Sequence, residues 1–283
     1  MPARTEGTTV RQTMKRSAWA LLMMAAFSGL AQAETVMITG ANSGIGLEFT
    51  RQYAARGWTI IATHRRRETP KSLADVVAKY PKVRVEKLDV TDEAQVHALA
   101  QKLADTPIDV LINNAGVYNE RSKCAPEDEA CVGDWSTQTF GKMNYSLLDT
   151  IMAVNVKGPL LVTEAFYNNV KASQLKKVVA ISSSNGTLTG ENPPRAGTIF
   201  YRTSKAALNR SMQIVAASVK PDGVTVVMFN PGPTLTEHQM YLKGNPVMLE
   251  TSFTVGNMIK TIDGVTLKDT GRFLRYDGQT EPW

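Results

Sequence analysis

The chain has 283 residues, of which 43% are hydrophobic and 20% are charged, as in an ordinary globular protein. This length allows one large α/β domain or two smaller ones. The net charge is +6, and part of it lies in the first 33 residues. No later run of lysine and arginine with interleaved aromatic residues follows, so the composition gives little support to nucleic-acid binding.

The amino-terminal segment, residues 14–33, has the pattern of a secretory signal peptide. Lys15-Arg16 precedes an uncharged apolar run from about Ala18 to Leu30, and Ala31-Gln32-Ala33 provides a small-x-small cleavage site. The apolar run is short for a membrane-spanning helix. We therefore expect cleavage after Ala33, a periplasmic or secreted protein, and no stable membrane span after cleavage. The alternative is a disordered or membrane-tethering tail on a cytoplasmic protein.

A glycine-rich turn follows the first predicted strand, Thr35 to Thr39, and precedes a predicted helix, Leu47 to Arg56. Glycines without Cβ atoms let the backbone approach a pyrophosphate, and the helix N-terminus offers free N–H groups and a positive dipole. The alternative is a turn with a purely structural role. The turn predicts a dinucleotide site, with contacts from Gly40, Asn42, Ser43, Gly44, Ile45 and Gly46.

The second predicted strand, Trp58 to Thr63, ends at the basic sequence His64-Arg65-Arg66-Arg67. At this point a dinucleotide fold uses a carboxylate for the ribose 2′-hydroxyl of NAD, or arginine for the 2′-phosphate of NADP. No acidic residue occurs from Thr59 to Arg67, so NADP is favoured over NAD. Arg65 is the best candidate, with Arg66 or Arg67 as substitutes, and a solvated loop is the alternative.

The next two predicted strands end in residues that suit an adenosine site. Val83 to Leu88 is followed by Asp89-Val90, where the carboxylate can accept a hydrogen bond from an adenine amino group. A predicted helix, Asp92 to Ala104, leads to the strand Asp109 to Ile112. The small and amide residues after that strand can line the cofactor and tie adjacent strands together: Asn113, Asn114, Ala115 and Gly116.

Tyr201 and Lys205 stand four residues apart on one face of a predicted helix, Tyr201 to Val219. A phenol beside an ammonium gives up its proton more easily than a free phenol, which would permit acid/base catalysis near neutral pH. Taken alone, the pair is weak evidence, because tyrosine and lysine at this spacing usually form only a solvated helix face.

Three motifs in this order together resemble the motif set of the short-chain dehydrogenase/reductases. They are Thr39-Gly40-x-x-x-Gly44-x-Gly46, Asn113-Asn114-Ala115-Gly116 and Tyr201-x-x-Ser204-Lys205. The resemblance covers about residues 35–283, and the ending from Gly271 is similar to the C-factor-like branch. It implies an NAD(P)-dependent oxidoreductase that assembles as a homodimer or homotetramer.

The resemblance also implies roles for individual residues. Ser183, with Ser182 and Ser184 as alternatives, corresponds to the serine that hydrogen-bonds the substrate carbonyl. Asn155 corresponds to the asparagine that supports a proton-relay water near Lys205. Tyr201 is the acid/base and also contacts the cofactor, as Lys205 does. The segment beside the nicotinamide would be Pro231, Gly232 and Thr234, with Thr236 as an alternative to Thr234.

Two segments are longer than the family pattern. The loop Val117 to Lys142 contains Cys124 and Cys131, which could form a disulfide in an oxidising compartment and would otherwise be free thiols. No histidine lies near them, so no metal site is expected. Extra length around residues 191–195 separates Ser183 from Tyr201.

The remaining pattern completes a single domain, residues 34–283, after the extension formed by residues 1–33. We predict a doubly wound parallel sheet, a Rossmann fold, with about seven strands and helices on both faces. We predict hydride transfer between NADP(H) and a small-molecule carbonyl or alcohol. The alternatives are a nucleotide-binding regulatory or signalling protein and an epimerase or dehydratase. The other predicted elements are helices Tyr145 to Val170 and Ser252 to Ile262, and strands Lys177 to Ile181, Val224 to Phe229 and about Arg272 to Tyr276.

Overall fold

Seven parallel strands form the central sheet of the computed structural model, which describes residues 33–119, 134–189 and 196–283. Their spatial order is β3-β2-β1-β4-β5-β6-β9, which confirms the predicted doubly wound sheet. A separate short pair, β7 with β8, was not predicted. The strands are β1 Thr35–Ile38, β2 Thr59–His64, β3 Val83–Lys87, β4 Val110–Asn113, β5 Lys177–Ile181, β6 Thr225–Asn230, β7 Thr234–Leu235, β8 Leu249–Glu250 and β9 Phe273–Arg275.

Helices cover both faces of the sheet, so the central strands are apolar at nearly every position. Alternate residues of β1 enter different cores: Val36 and Ile38 pack in one core, and Met37 packs in the other. The first core contains α1 Gly44–Ala55, α2 Lys71–Lys79 and α8 Thr251–Gly264. The second contains α3 Glu93–Lys102, α5 Gly158–Ala165 and α7 Ile199–Val219.

The predicted continuous helix from Tyr145 to Val170 is wrong, because the structure divides it. Its parts are α4 Tyr145–Met152, a π-helical segment Ala153–Lys157, α5, and α6 Tyr167–Lys171. Pro159 lacks an N–H and cannot donate to the carbonyl of Asn155 four residues earlier, so a regular α-helix cannot continue there. The π-helical segment therefore contains the asparagine that the sequence assigns to the active site.

Two further elements were missed by the sequence. Helix α2 follows Pro70 and buries Leu73 and Val76 against the sheet. After β7, a 3₁₀ segment at Glu237–Leu242 leads to β8. The sequence predicted no element in this region because it has neither helical nor strand periodicity.

The carboxyl ends of β1, β4, β5 and β6 meet at one edge of the sheet, which is where ligands bind in open α/β folds. Glu34–Trp283 forms one compact unit. None of the helices in the described ranges is long and apolar enough to cross a bilayer. The predicted signal-peptide segment, Cys124, Cys131 and most of the extra length before Tyr201 lie outside the described residues.

Candidate active site

The turn between β1 and α1 can be built only with glycine. Gly40 and Gly44 have φ angles of +65° and +53°, a region that other residues rarely adopt. A Cβ atom on Gly46 would lie 2.2 Å from the carbonyl oxygen of Gly40 and 2.4 Å from Nδ2 of Asn114. The turn therefore brings backbone atoms as close together as the predicted phosphate cradle requires.

Hydrogen bonds tie the end of β4 to the end of β1. Nδ2 of Asn114 donates to the carbonyls of Thr39 and Gly40, at 3.0 and 3.1 Å. Oγ1 of Thr39 accepts from the N–H groups of Asn114 and Ala115, both at 3.0 Å. A Cβ on Gly40 would lie only 3.0 Å from Cα of Ala115. These contacts confirm that the amide and small residues join the two strands.

The residues predicted for adenosine lie at the ends of β2 and β3. Arg65 is exposed directly after β2. Oδ1 of Asp89 accepts from the backbone N–H and the hydroxyl of Thr91, which fixes the carboxylate. Val90 is buried, and a Cβ atom on Gly158 would lie 2.8 Å from its Cγ2 atom. This set of cradle, carboxylate and arginine fits a dinucleotide.

A carboxylate that the sequence did not predict lies at the phosphate turn. The backbone N–H of Gly44 donates to Oε2 of Glu237 at 2.9 Å. Glu237 follows Thr236, whose Cγ2 lies 3.3 Å from the position of a Cβ on Gly44. The hydroxyl of Thr234 instead donates to the carbonyl of Pro231 in its own turn. Thr236 therefore lies against the glycine turn, whereas the Thr234 hydroxyl is bonded within its own turn.

Ser183 is the serine that faces Tyr201. The Ser183 side chain lies near enough to the Tyr201 phenol to lower the pKa of that phenol, and Oγ of Ser183 accepts from the backbone N–H of Asn185 at 3.1 Å. The hydroxyl of Ser182 is buried and donates to Oδ1 of Asn209 at 2.6 Å. The geometry therefore favours Ser183 over Ser182.

Lys205 does not bring the pKa of Tyr201 below its ordinary value in this structure. Burial raises the pKa of Tyr201, the Ser183 hydrogen bond lowers it and Tyr118 raises it, with a net increase. Burial lowers the pKa of Lys205 to about 8. Nζ of Lys205 donates to the carbonyl of Ile181 at 2.9 Å and lies 5.7 Å from the centroid of the Tyr201 ring. Lys205 is not among the groups that shift the pKa of Tyr201 here, and burial of the phenol is the largest cause of the increase.

Asn155 joins three parts of the site. Its Nδ2 donates to the carbonyl of Val117 at 2.8 Å and to Oγ of Ser204 at 3.0 Å. Its Oδ1 accepts from the N–H of Val117 at 2.8 Å. The hydroxyl of Ser204 in turn donates to the carbonyl of Tyr201. The fully buried side chain thus links the π-helical segment, the loop after β4 and helix α7.

Comparison with known proteins agrees with this geometry. A family model described as short chain dehydrogenase matches residues 34–246. The chain belongs to this family. The C-signal protein of Myxococcus xanthus is 30% identical over 188 residues, which cover 66% of this chain and all of that protein. The motif-based resemblance, including the C-factor-like branch, is confirmed.

Two solved structures are similar over 89% of this short-chain dehydrogenase and 100% of their own chains. An NADPH-bound carbonyl reductase from chicken fatty liver has a TM-score of 0.76 and 25% identity. A short-chain dehydrogenase/reductase from Burkholderia multivorans with bound NADP has a TM-score of 0.71 and 26% identity. The chain is therefore an oxidoreductase of the NAD(P)-binding type.

The sequence missed Gln138, which is fully buried beside the catalytic helix of this short-chain dehydrogenase. Helix α7 begins after Thr198, which has a φ of +51° and provides no side-chain cap. Oε1 of Gln138 accepts from the N–H of Tyr201 at 2.9 Å and thereby pairs one of the unbonded N–H groups of the first turn. No sequence motif marks this residue. Among the described residues, no group of three potential metal ligands occurs.

Proposed function

We propose that the chain is an NADP-preferring oxidoreductase that interconverts carbonyl and alcohol groups of small molecules. The observation that carries this proposal is that Ser183, Tyr201 and Lys205 come together. Lys205 is buried one helical turn after Tyr201, with its Nζ 5.7 Å from the Tyr201 ring centroid, and the Ser183 side chain lowers the pKa of the Tyr201 phenol. This group lies at the same edge of the sheet as the glycine turn.

Each residue has a separate role in the proposed reaction. Ser183 donates a hydrogen bond to the substrate oxygen, and Tyr201 protonates that oxygen as alkoxide character develops. The raised pKa of Tyr201 keeps the phenol protonated at neutral pH, as reduction requires. Lys205 binds the cofactor ribose. When bound, the nicotinamide supplies or accepts the hydride.

Asn155 supports the proton relay in this proposal. Its side chain is occupied by Val117 and Ser204. The backbone carbonyl of Asn155 receives no α-helical hydrogen bond from residue 159, because Pro159 has no N–H. We assign the relay contact to this carbonyl rather than to the side chain, which instead holds the surrounding backbone in place.

The preference for NADP rests on charge at the end of β2. Arg65 follows the strand, and no carboxylate occurs between Thr59 and Arg67. Arginine pairs well with phosphate because its planar fork donates two hydrogen bonds. The two similar solved structures were determined with NADPH and NADP. Arg65→Ser should reduce the preference for NADPH over NADH about tenfold or more, measured as a ratio of kcat/KM values.

The central test is NADPH oxidation with a panel of aldehydes and ketones, using protein that begins at Glu34. Tyr201→Phe should lower turnover on the order of a thousandfold while NADPH affinity changes less than about twofold. Tyr145→Phe is the matched control, because Tyr145 is exposed on α4. Turnover retained by Tyr201→Phe would show that the assigned acid is wrong.

A signalling role is the second candidate, because the similar Myxococcus xanthus protein is named C-signal. In that case catalysis would be incidental. A partner interaction that depends on bound nucleotide and survives Tyr201→Phe would favour this candidate over the enzyme.

We further propose cleavage after Ala33 and export to the periplasm or medium, with a cytoplasmic protein as the alternative. The basic, apolar and small-residue pattern of residues 14–33 supports this proposal. N-terminal sequencing of the native protein tests it. We also propose a homodimer or homotetramer on the basis of family resemblance, and sedimentation equilibrium measures the assembly.

A further inference from the structure

Three aromatic rings, one of them the proposed acid, pack against one another at the candidate site. We define the aromatic wall as Tyr118, Trp135 and Tyr201. The Tyr118 and Tyr201 rings meet edge to face, with centroids 4.2 Å apart and planes at 70°. Trp135 also packs against Tyr118, with centroids 4.6 Å apart and planes at 78°. The Tyr118 ring therefore contacts both the proposed acid and the Trp135 ring.

Hydrogen bonds from Gln138 hold the aromatic wall together. Nε2 of Gln138 donates to the carbonyl of Tyr118 at 2.7 Å, while its Oε1 accepts from the N–H of Tyr201. One buried side chain thus fixes the backbone of both tyrosines. Trp135 lies in the turn that leads into the 3₁₀ segment carrying Gln138. Specific hydrogen bonds to a buried side chain therefore fix the relative positions of the loops that carry the wall.

The wall is neutral at physiological pH. Burial is the largest cause of the raised pKa of Tyr118, Tyr241 raises it further, and the Arg202 guanidinium lowers it without reversing the net increase. Tyr201 is also protonated, as described above. A neutral array of rings attracts another ring through edge-to-face or offset contacts, whereas a saturated group of equal size gains only burial.

We propose that Tyr118 determines substrate specificity by selecting carbonyl compounds in which a flat aromatic group is attached to the C=O carbon. This inference rests on the proposed reductase function. The carbonyl oxygen must lie about 2.7 Å from the Tyr201 hydroxyl. The substituent on the carbonyl carbon then lies beside the ring that packs closest to Tyr201, which is Tyr118.

The test compares benzaldehyde with cyclohexanecarbaldehyde, which differ in ring flatness and little in size. The intrinsic reactivities of the two aldehydes differ, so the measured quantity is the ratio of their kcat/KM values in each variant. Tyr118→Leu should lower the ratio of kcat/KM for benzaldehyde to kcat/KM for cyclohexanecarbaldehyde, called the benzaldehyde ratio, about three- to tenfold. Tyr118→Phe keeps the ring and should keep the ratio within about twofold.

A binding measurement separates failure of this inference from failure of the proposed function. Calorimetry measures the affinity of the enzyme–NADPH complex for benzyl alcohol and for cyclohexylmethanol, without turnover. A preference for benzyl alcohol that is lost in Tyr118→Leu supports the wall even if no aldehyde is reduced. If wild type reduces both aldehydes and Tyr118→Leu leaves both the ratio and the binding preference unchanged, the wall does not select substrates.

Gln138 provides a second variant that leaves all three rings intact. Gln138→Glu keeps an acceptor for the N–H of Tyr201 but removes the donor to the Tyr118 carbonyl. It should lower the benzaldehyde ratio in the same direction as Tyr118→Leu, by a smaller factor. An unchanged ratio would show that Gln138 does not position Tyr118.

Discussion

The cofactor side and the substrate side of the site are held in place by different means. On the cofactor side, short-range backbone geometry sets the glycine turn, and the Thr39–Asn114 hydrogen bonds close it. On the substrate side, long polar side chains connect separate loops: Asn155 fixes Val117, and Gln138 fixes Tyr118 and Tyr201.

This difference predicts which amino-acid substitutions should affect each side. The turn has no space for one additional carbon atom, so a steric change on the cofactor side acts directly on the cradle. On the substrate side, the hydrogen bonds of the bridging amides of Asn155 and Gln138 go to residues outside the glycine turn. We therefore expect cofactor binding and substrate choice to be separable by mutation, and four predictions test this separation.

The largest effect is expected for Gly46→Ala on the cofactor side. The added methyl group would collide with the Gly40 carbonyl and the Asn114 amide. It should lower the free energy of unfolding by about 2–3 kcal/mol and abolish most NADPH binding. Thermal denaturation and fluorescence titration with NADPH measure these two quantities.

The matched control is Gly264→Ala, at the end of α8. A Cβ there has no atom within 4 Å, so stability should be unchanged or slightly higher. Equal melting temperatures and equal NADPH affinities for the two variants would contradict the steric account of the turn.

Asn155→Ala tests whether the substrate side can be disturbed without loss of NADPH affinity. It removes the partners of the N–H and C=O of Val117, which should cost about 2–3 kcal/mol of stability. Turnover should fall much more than NADPH affinity, because the Thr39–Asn114 hydrogen bonds do not involve Asn155. Asn257→Ala on α8 is the control, since that amide donates to the carbonyl of Phe253 within its own helix. An equal loss of NADPH affinity and turnover would mean that the two sides are not separable.

The affinity for NADPH should depend on pH through Lys205. Burial lowers the pKa of this ammonium to about 8, so it is charged below that pH and neutral above it. Because we assign the charged form to ribose binding, affinity should fall about tenfold between pH 7 and pH 9.5. Lys205→Met should bind weakly and show no such decline. A wild-type dissociation constant that is constant over this range would rule out the role of the charge.

The smallest effect is expected for Glu237→Gln. The change removes a negative charge from the phosphate turn, while the amide oxygen still accepts from the N–H of Gly44. NADPH affinity should rise about two- to fivefold at low salt, and the gain should shrink as salt screens the charge. Glu250→Gln, at an exposed position on β8, is the control. Weaker binding by Glu237→Gln would indicate that the carboxylate organises the turn rather than opposing the cofactor.

Part of the site could be predicted because its residues follow one another in the chain. Strand, turn and helix from Thr35 to Ala55 are local, and the residues after β4 and β5 are placed by the common direction of parallel strands. The sequence left Ser182, Ser183 and Ser184 as candidates for the catalytic serine, and the contact of Ser182 with Asn209 favours Ser183 over Ser182. The prediction of one continuous helix around Asn155 was wrong because the apolar periodicity of the sequence continues across Pro159.

The sequence by itself determined the family, the seven-stranded sheet and the order of the motifs, because each depends on contiguous patterns of hydrophobicity, glycine and charge. Only the tertiary structure decided the contacts of Glu237 with Gly44, which are 193 residues apart, and of Gln138 with Tyr201, which are 63 residues apart. A backbone N–H can donate to any suitably placed oxygen, so such partners follow from how the loops fold over the sheet edge. Burial also depends on tertiary packing rather than on spacing along the sequence, and it is the largest cause of the pKa shifts of Tyr201 and Lys205.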